Sequence, residues 1–397
     1  MKVVSVSEVA KITSGFAFKS EMFNEENNGF PLIRIRDVGQ NNPATYYSGE
    51  YREEYLVSKG DLLISMDGEF KISEWLGPVS LLNQRVCKIQ SSSPELLEKY
   101  LLYILPDALK RIEDATPFVT VKHLSVSDIK KIQIILPTIS EQKHIIDILA
   151  KAQALIDKRK QAIAKLDELV QVVFMDMFGN PVTNPMGWEV QKLKSLSTRI
   201  LSGNTPKGGS QVYVETGIIF FRSQNIWKNR IELDDVAYID EQTHRKMSQT
   251  SLKNRDILIT KTGRINTENS SLGRAALFLG EDDSANINGH VYLVRLKKEV
   301  IHEFVLYILI SDEYRDYIRE VCVGGIDKRQ INKEHLEEFP IIMPPIELQQ
   351  RFADYVRQID ILKSKMQQGL KDLESNFQAL LQKAFKGELK VKDGVAV

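Results

Sequence analysis

The segments ILPTISEQ (135–142) and IMPPIELQ (342–349) are two copies of one boundary, set 207 residues apart. Pro137 in the first precedes Phe178 by 41 residues, and Pro344 in the second precedes Phe385 by the same 41. A stretch that keeps its length and tolerates no insertion suggests a ruler-like element, and a long helix is the obvious candidate. Within the first stretch Ile145, Leu149, Ala152, Ile156, Arg159, Ile163, Leu166, Val170, Val173 and Met177 alternate in steps of four and three, which is a heptad seam. Adding 207 gives Phe352, Val356, Ile359, Lys363, Met366, Leu370, Leu373, Phe377, Leu380 and Ala384, so the second copy keeps it. Prolines precede both stretches and Gly179 and Gly387 follow them, as helix boundaries require. One such helix alone is most often core or a routine coiled coil. Two of equal length are most economically packed together, burying both seams along about 50 Å at about 1.5 Å per residue.

The duplication extends outward from these segments, and self-similarity of this kind fixes an architecture. Ser14-Gly15 matches Ser202-Gly203, and FPLIRIRDV (30–38) matches IIFFRSQNI (218–226) at an offset of 188, pairing Arg34 with Arg222 and Asp37 with Asn225. KGDLLISMDG (59–68) matches NRDILITKTG (254–263) at 195, a strand between two turns in both copies. NQRVCKI from Asn83 then matches NGHVYLVRL from Asn288, and YLLYIL from Tyr100 matches FVLYIL from Phe304. The offset grows in polar stretches, where added loop length is cheap. The domains expected are a globular head at 1–138, a long helix at 139–179, a Pro- and Gly-rich linker at 180–187, a second head at 188–345, a second long helix at 346–387 and a tail at 388–397. Short apolar strands interleaved with a few helices make each head α+β.

Composition constrains function mostly by exclusion. At 397 residues the chain exceeds what one core organises. No apolar run approaches the roughly 20 residues of a membrane span, and MKVVSVSEVAKITSGF has no signal-peptide apolar region, so a cytoplasmic location is expected. Cys87 and Cys322 belong to no metal or redox pair. Six histidines, at 123, 144, 244, 290, 302 and 335, never take helical ligand spacing, so no metal site is expected. GNTPKGGS (203–210) has the outer spacing of a phosphate loop, but Gly209 stands where the lysine belongs. With no dinucleotide or amino-methyltransferase motif either, no catalytic residues are assigned. Net charge is zero, and the heads are no more basic: residues 1–138 hold 16 basic and 18 acidic residues, and residues 180–345 hold 22 of each. A nucleic-acid function therefore has to rest on locally clustered cations.

Two unlike heads, each followed by a long helix introduced by proline and glutamine (LPTISEQ with Gln142, MPPIELQ with Gln349), resemble the specificity subunits of type I restriction-modification systems. The repeated Ser-Gly, Arg-x-x-Asp/Asn and Asp-Leu/Ile-Leu-Ile steps carry the same resemblance over nearly the whole chain. It implies a non-catalytic subunit of a methyltransferase and endonuclease complex. Each head would be a target-recognition domain reading half of a bipartite, gapped sequence in double-stranded DNA. The helices would space the heads and dock two modification subunits, which recruit the restriction subunits. It further implies that S-adenosylmethionine, ATP and Mg belong to partner subunits, with no cofactor on this chain. A symmetric reader of a duplex favours antiparallel helices in a pseudo-twofold repeat, and would place Arg159 and Lys363, the one charged break in each seam, near the midpoint, where they fix register.

Base readout favours Arg, Lys, Asn and Gln in loops. In the first head the DNA-binding candidates are Arg34, Arg36, Lys122 and His123, with Arg34 equally plausible as a structural ion-pair residue. In the second they are Arg222, the turn holding Lys261 and Arg264, and the loop 324–330 ending in Lys328, Arg329 and Gln330, which matches the loop at 116–123. The rival from another class is a DNA-independent scaffold of two interaction domains on a coiled coil, which the neutral heads favour. An enzyme acting alone would need a motif that is missing.

Overall fold

The computed structural model describes residues 2–116, 122–265, 267, 270–325, 328–389, 391–392 and 395–396. Within the loops singled out above, residues 117–121, 326 and 327 lie outside the described residues, as do 390, 393, 394 and 397 of the tail. The chain forms two compact units, one made of Met1–Gln161 with Gln367–Val397, the other of Ala162–Met366. The long helices span Ile139–Phe178 and Ile346–Phe385, and each contributes one segment to each unit.

In the first unit an antiparallel sheet runs in the order Ala10–Ser14, Val86–Ser91, Leu62–Ser65, Ile72–Glu74. The central strand, LLIS, is buried at every position, which is why it is apolar on both faces rather than alternating. A second sheet contains the parallel pair Phe30–Ile33 and Ser80–Leu82. The first and last strands of the head, Lys2–Ser5 and Gln133–Leu136, pair with each other. The helix Glu98–Ala115 buries Tyr100, Leu101, Ile104, Leu105 and Leu109 in this unit's core.

The second unit repeats this topology. Its sheet runs Ser197–Ser202, Val291–Leu296, Ile257–Thr260, Ala275–Leu277, with ILIT again fully buried. Ile218–Phe221 pairs in parallel with Ala285–Ile287, and Glu189–Lys192 closes the head against Pro340–Met343. The helical part differs: Ser311 interrupts the run, and its Oγ accepts from the Tyr314 amide to start a second helix, Asp312–Val321.

The repeated sequence blocks have shared structural causes. A Cβ on Gly15 would lie 2.0 Å from the Asn83 carbonyl oxygen, and one on Gly203 would lie 2.3 Å from that of Asn288. The Ser-Gly and Asn blocks are therefore two sides of one backbone contact. Asp61 and Asp256 each accept a backbone amide three residues back, from Ser58 and Lys253 at 2.8 and 2.7 Å, and each meets a cation from another strand. Gln142 is fully buried; its Nε2 donates to the Glu95 and Pro137 carbonyls at 2.7 and 2.9 Å, and its Oε1 accepts from the Leu97 amide at 2.8 Å. Gln349 donates to the Pro344 carbonyl at 2.8 Å.

Within each unit the two helical segments run antiparallel. In the first, Ile145 and Leu149 share a core with Phe377, Leu380 and Ala384, and Lys160 pairs with Glu374 at 2.8 Å. In the second, Phe174 and Phe178 pack edge-on against Phe352 at 5.4 and 5.6 Å, and Lys363 Nζ bonds Asp167 at 2.6 Å. Lys363 thus sits between the helices with an acidic partner opposite, while Arg159 Nη1 lies 2.7 Å from where a Cβ on Gly369 would stand. The seam shifts by one residue near the end of the first helix. Val173 and Met177 are half-buried, and Phe174 and Phe178, which the heptad count passed over, are fully buried. A straight helix drifts about 20° per heptad, so a strict count of sevens leaves the buried face after several turns.

Candidate nucleic-acid interface

The candidate residues fall on two kinds of turn, repeated between the heads. In the first kind a 3-10 turn follows the parallel strand, Ile35–Asp37 in one head and Ser223–Asn225 in the other. The buried Asp37 and Asn225 accept the Arg34 and Arg222 amides at 2.8 and 2.9 Å, which explains the Arg-x-x-Asp/Asn repeat as backbone chemistry. The arginine side chains then differ. Arg34 is exposed, and among the described residues its guanidinium makes no ion pair. Arg222 is tied down, its Nη2 donating to the Asp235 carbonyl and carboxylate at 2.8 and 3.1 Å. Arg36 reaches Thr45 Oγ1 at 3.2 Å and stays more than half exposed.

The second kind lies where the strand after the Asp-Leu/Ile-Leu-Ile step meets the chain returning from the helices. In the second head Thr262–Gly263, Lys328–Gln330 and Val323–Gly325 form a small sheet with Lys328–Gln330 in the middle. In the first head, among the described residues, a bridge between Asp67 and His123 occupies the matching place. The structure therefore gathers Lys261, Arg264, Lys328, Arg329 and Gln330 into one surface and Lys122 with His123 into its counterpart.

Not all of these side chains face outward. Lys122 Nζ donates to the Glu113 carbonyl at 2.6 Å, and Arg329 Nη1 approaches the Arg319 and Cys322 carbonyls at 3.5 Å, so both close a helix C-terminus, where a cation offsets the helix dipole. Lys261 Nζ lies 5.4 Å over the Tyr292 ring. Gln330 Nε2 donates to Asn332 Oδ1 at 3.3 Å. Arg264 and Lys328 are exposed and line one open groove with Thr262, Thr267 and Ser271. His123 Nδ1 lies 2.6 Å from Asp67, which Arg85 also approaches at 3.5 Å. Arg85 was not among the sequence candidates, although it occupies the NQRV block between two matched residues.

Both cysteines are buried, and burial pushes the Cys87 thiol up to about 12. Among the described residues no cluster of His, Cys, Asp or Glu is arranged to hold a metal, and no helix is long and apolar enough to cross a membrane.

Residues 1–168 and 185–374 match the family model for the type I restriction modification DNA specificity domain. The chain belongs to this family. It is a DNA specificity subunit of a type I restriction-modification system. This specificity subunit is 28% identical over 415 residues to the type I restriction enzyme EcoBI specificity subunit of Escherichia coli, covering 97% of this chain and 85% of that one. It is 23% identical to the MjaVIII specificity subunit of Methanocaldococcus jannaschii, covering 99% and 93%. Among solved structures it resembles the type I restriction-modification S subunit of M. genitalium, with a TM-score of 0.52, 15% identity and 97% and 96% of the two chains covered. A chain from a structural study of assembly and conformational transition in the type I system gives a TM-score of 0.53 at 18% identity, with 98% of each covered. At these identities the two structures speak for the fold. The scaffold alternative has no support among these relatives.

Proposed function

We propose that each head of this specificity subunit reads one half of a gapped, bipartite sequence in double-stranded DNA, and that the chain supplies no catalysis of its own. The observation that carries this reading is the repeated surface where the Asp-Leu/Ile-Leu-Ile strand meets the returning chain. The two heads share one backbone pairing there, Asp67 with His123 and Thr262 with Gln330, but carry different side chains around it: Asp67, Arg85 and His123 in one, Arg264, Lys328 and Gln330 in the other. A shared pairing with variable polar side chains suits readers of unlike half-sites. Arg34, Arg36, His123, Lys261, Arg264, Lys328 and Gln330 are the residues best placed to touch DNA. The bonds of Lys122, Arg222 and Arg329 suit them better to holding those turns. Methyl transfer and cleavage, with S-adenosylmethionine, ATP and Mg, belong to partner subunits in the cytoplasm.

Mapping methylated bases in cells with and without the gene tests this directly. The expected result is one gapped motif with two unlike halves, and replacing residues 188–345 by the matching region of another family member changes one half only. A continuous motif, or a change in both halves, contradicts the assignment.

The long helices have equal length and fit the role of spacer and docking site for modification subunits. Leu155 and Leu362 occupy equivalent positions, 207 residues apart, and are 54% and 44% exposed, with Leu169, Val172 and Ile361 also exposed. An exposed leucine repeated at the same position of both helices suits a docking contact made twice. Leu155→Asp and Leu362→Asp should each remove one modification subunit from the purified complex, and the double variant both, as read by mass of the assembly. Retention of both subunits by the double variant would show that this face is not the dock.

A further inference from the structure

A cationic cleft in the second head lies outside every candidate drawn from the sequence. The hairpin Ile226–Trp227 with Arg230–Ile231 presents the Trp227 ring, and the Arg274 guanidinium stacks on it with Cζ 3.8 Å from the centroid. Arg274 is 8% exposed, and its Nε donates to the Ser270 carbonyl at 3.0 Å. The helix Asp312–Val321 forms the other wall, with Arg315 and Arg319 one turn apart and Arg315 Nη2 3.5 Å from the same Ser270 carbonyl. Lys228 completes the rim, and the cleft encloses about 400 Å³.

Four basic side chains therefore line the cleft; among the described residues the carboxylates of Asp312 and Asp316 line it with them, and Glu232 acts on Arg274 from nearby. Asp312 pairs with Lys228 at 2.9 Å and Asp316 with Arg319 at 2.6 Å, but these carboxylates are 85% and 70% exposed. Pairs of that kind are weak and screened by salt, so an incoming anion displaces them at little cost. Arg274 and Arg315 lie deeper. Burial and the neighbouring Arg315 hold Arg274 below the usual arginine range, and burial and Arg319 do the same to Arg315. Arg315 and Arg319, one turn apart in a partly dry cleft, repel each other, and an anion with several acceptor oxygens relieves that repulsion. The planar fork of arginine matches phosphate oxygens in pairs, and stacking on Trp227 fixes its plane.

We propose that this cleft binds a backbone phosphate of the DNA duplex, and so anchors the second head on its half-site without reading a base. The proposal rests on the DNA-reading function above and deepens it. Two observations favour a phosphodiester over a base edge. Among the described lining residues four basic side chains outnumber the two exposed carboxylates and there is no side-chain amide to discriminate donor from acceptor, and the groove lined by Arg264 and Lys328 shares Ser270 with this cleft. One bound strand can thus pass from the phosphate anchor to the proposed readers. Among the described residues the first head does not repeat the site. At the offset of 188 that pairs Arg34 with Arg222, Gly39 stands where Trp227 does, and Lys71 takes the backbone place of Arg274, its carbonyl accepting from Ser65 as that of Arg274 accepts from Thr260.

The test uses the full chain assembled with its modification subunits, on a duplex carrying the methylated motif and on an unrelated duplex, over a range of salt. Arg315→Gln should weaken binding to both duplexes by the same factor, about tenfold at low salt, and lower the slope of log affinity against log salt by about one. Lys228→Gln and Arg319→Gln, at the exposed rim, should give smaller shifts of the same kind and guard against a folding defect in the first variant. Ethylation interference should be lost at phosphates on one side of the gap. An unchanged salt slope in all three variants overturns the proposal, as does a loss confined to the motif duplex, which would make the cleft a base reader. If the wild-type complex binds both duplexes equally, it is the sequence-reading function that fails, and the slopes still judge the cleft.

Discussion

Gly203→Ala is expected to unfold the second head while leaving the first intact. The added methyl would stand 2.3 Å from the Asn288 carbonyl oxygen and 2.4 Å from that of Ile287, backbone atoms at the end of the strand Ala285–Ile287. Overpacking ordinarily costs about 1 to 3 kcal/mol when side chains can shift aside, and here no side chain is in the way to shift. A loss of at least about 3 kcal/mol follows, a large part of the stability of a domain of this size. Hydrogen exchange by segment is the discriminating measurement: amides in Ser197–Ser202 and Val291–Leu296 should lose protection, while Ala10–Ser14 and Val86–Ser91 keep theirs. Gly15→Ala should give the mirror result, since its methyl would meet the Asn83 carbonyl oxygen at 2.0 Å. Equal protection in both heads of either variant would remove the steric explanation of the Ser-Gly repeat.

The second large effect is expected from Asp256→Ala. Asp256 is 1% exposed and binds Arg295 through two bonds, Nε to Oδ1 at 2.8 Å and Nη2 to Oδ2 at 2.6 Å, while also accepting the Lys253 amide. Removing one partner of a buried pair leaves a charge without compensation, at about 3 to 5 kcal/mol. Arg295 keeps a bond to the Ser251 carbonyl and some exposure, which places the value at the lower end. Asp61→Ala, at the matching site of the first head, should cost roughly half as much or less. Its carboxylate is 15% exposed, meets Lys88 at 3.6 Å and takes one longer bond from Gln90 at 3.3 Å. Chemical denaturation of each variant, followed by a probe in the affected head, gives the comparison. Equal losses at the two sites would show that the bidentate arginine adds nothing.

These two sites also show what could be read from the sequence. Ser-Gly, Asn and Asp recur in order because each solves a backbone problem, and backbone problems repeat with the fold. The two heads and the two long helices were legible for that reason. The end of the first helix was not, because Phe174 and Phe178 replace Val173 and Met177 only once the helix drifts off its count of sevens. The site was less legible still. Lys122 and Arg329 look like free cations in the sequence, yet both lie against helix carbonyls, a role set by where the preceding helix stops. The cleft of Trp227, Arg274 and Arg315 escaped notice because its members are scattered over three elements, and no spacing along the chain joins them.

Each head begins and ends on strands zipped to each other, Lys2–Ser5 with Gln133–Leu136 and Glu189–Lys192 with Pro340–Met343. Entry and exit therefore stand side by side, and each head also packs on the helices, against Gln142 in the first and against Phe174 and Phe352 in the second. A gene crossover at ILPTISEQ or IMPPIELQ would carry a foreign head onto the same helix start, provided that head offers the helices the contacts they make now. New methylation patterns can then arise by exchanging whole cassettes between strains, a faster route than altering individual loop residues one at a time.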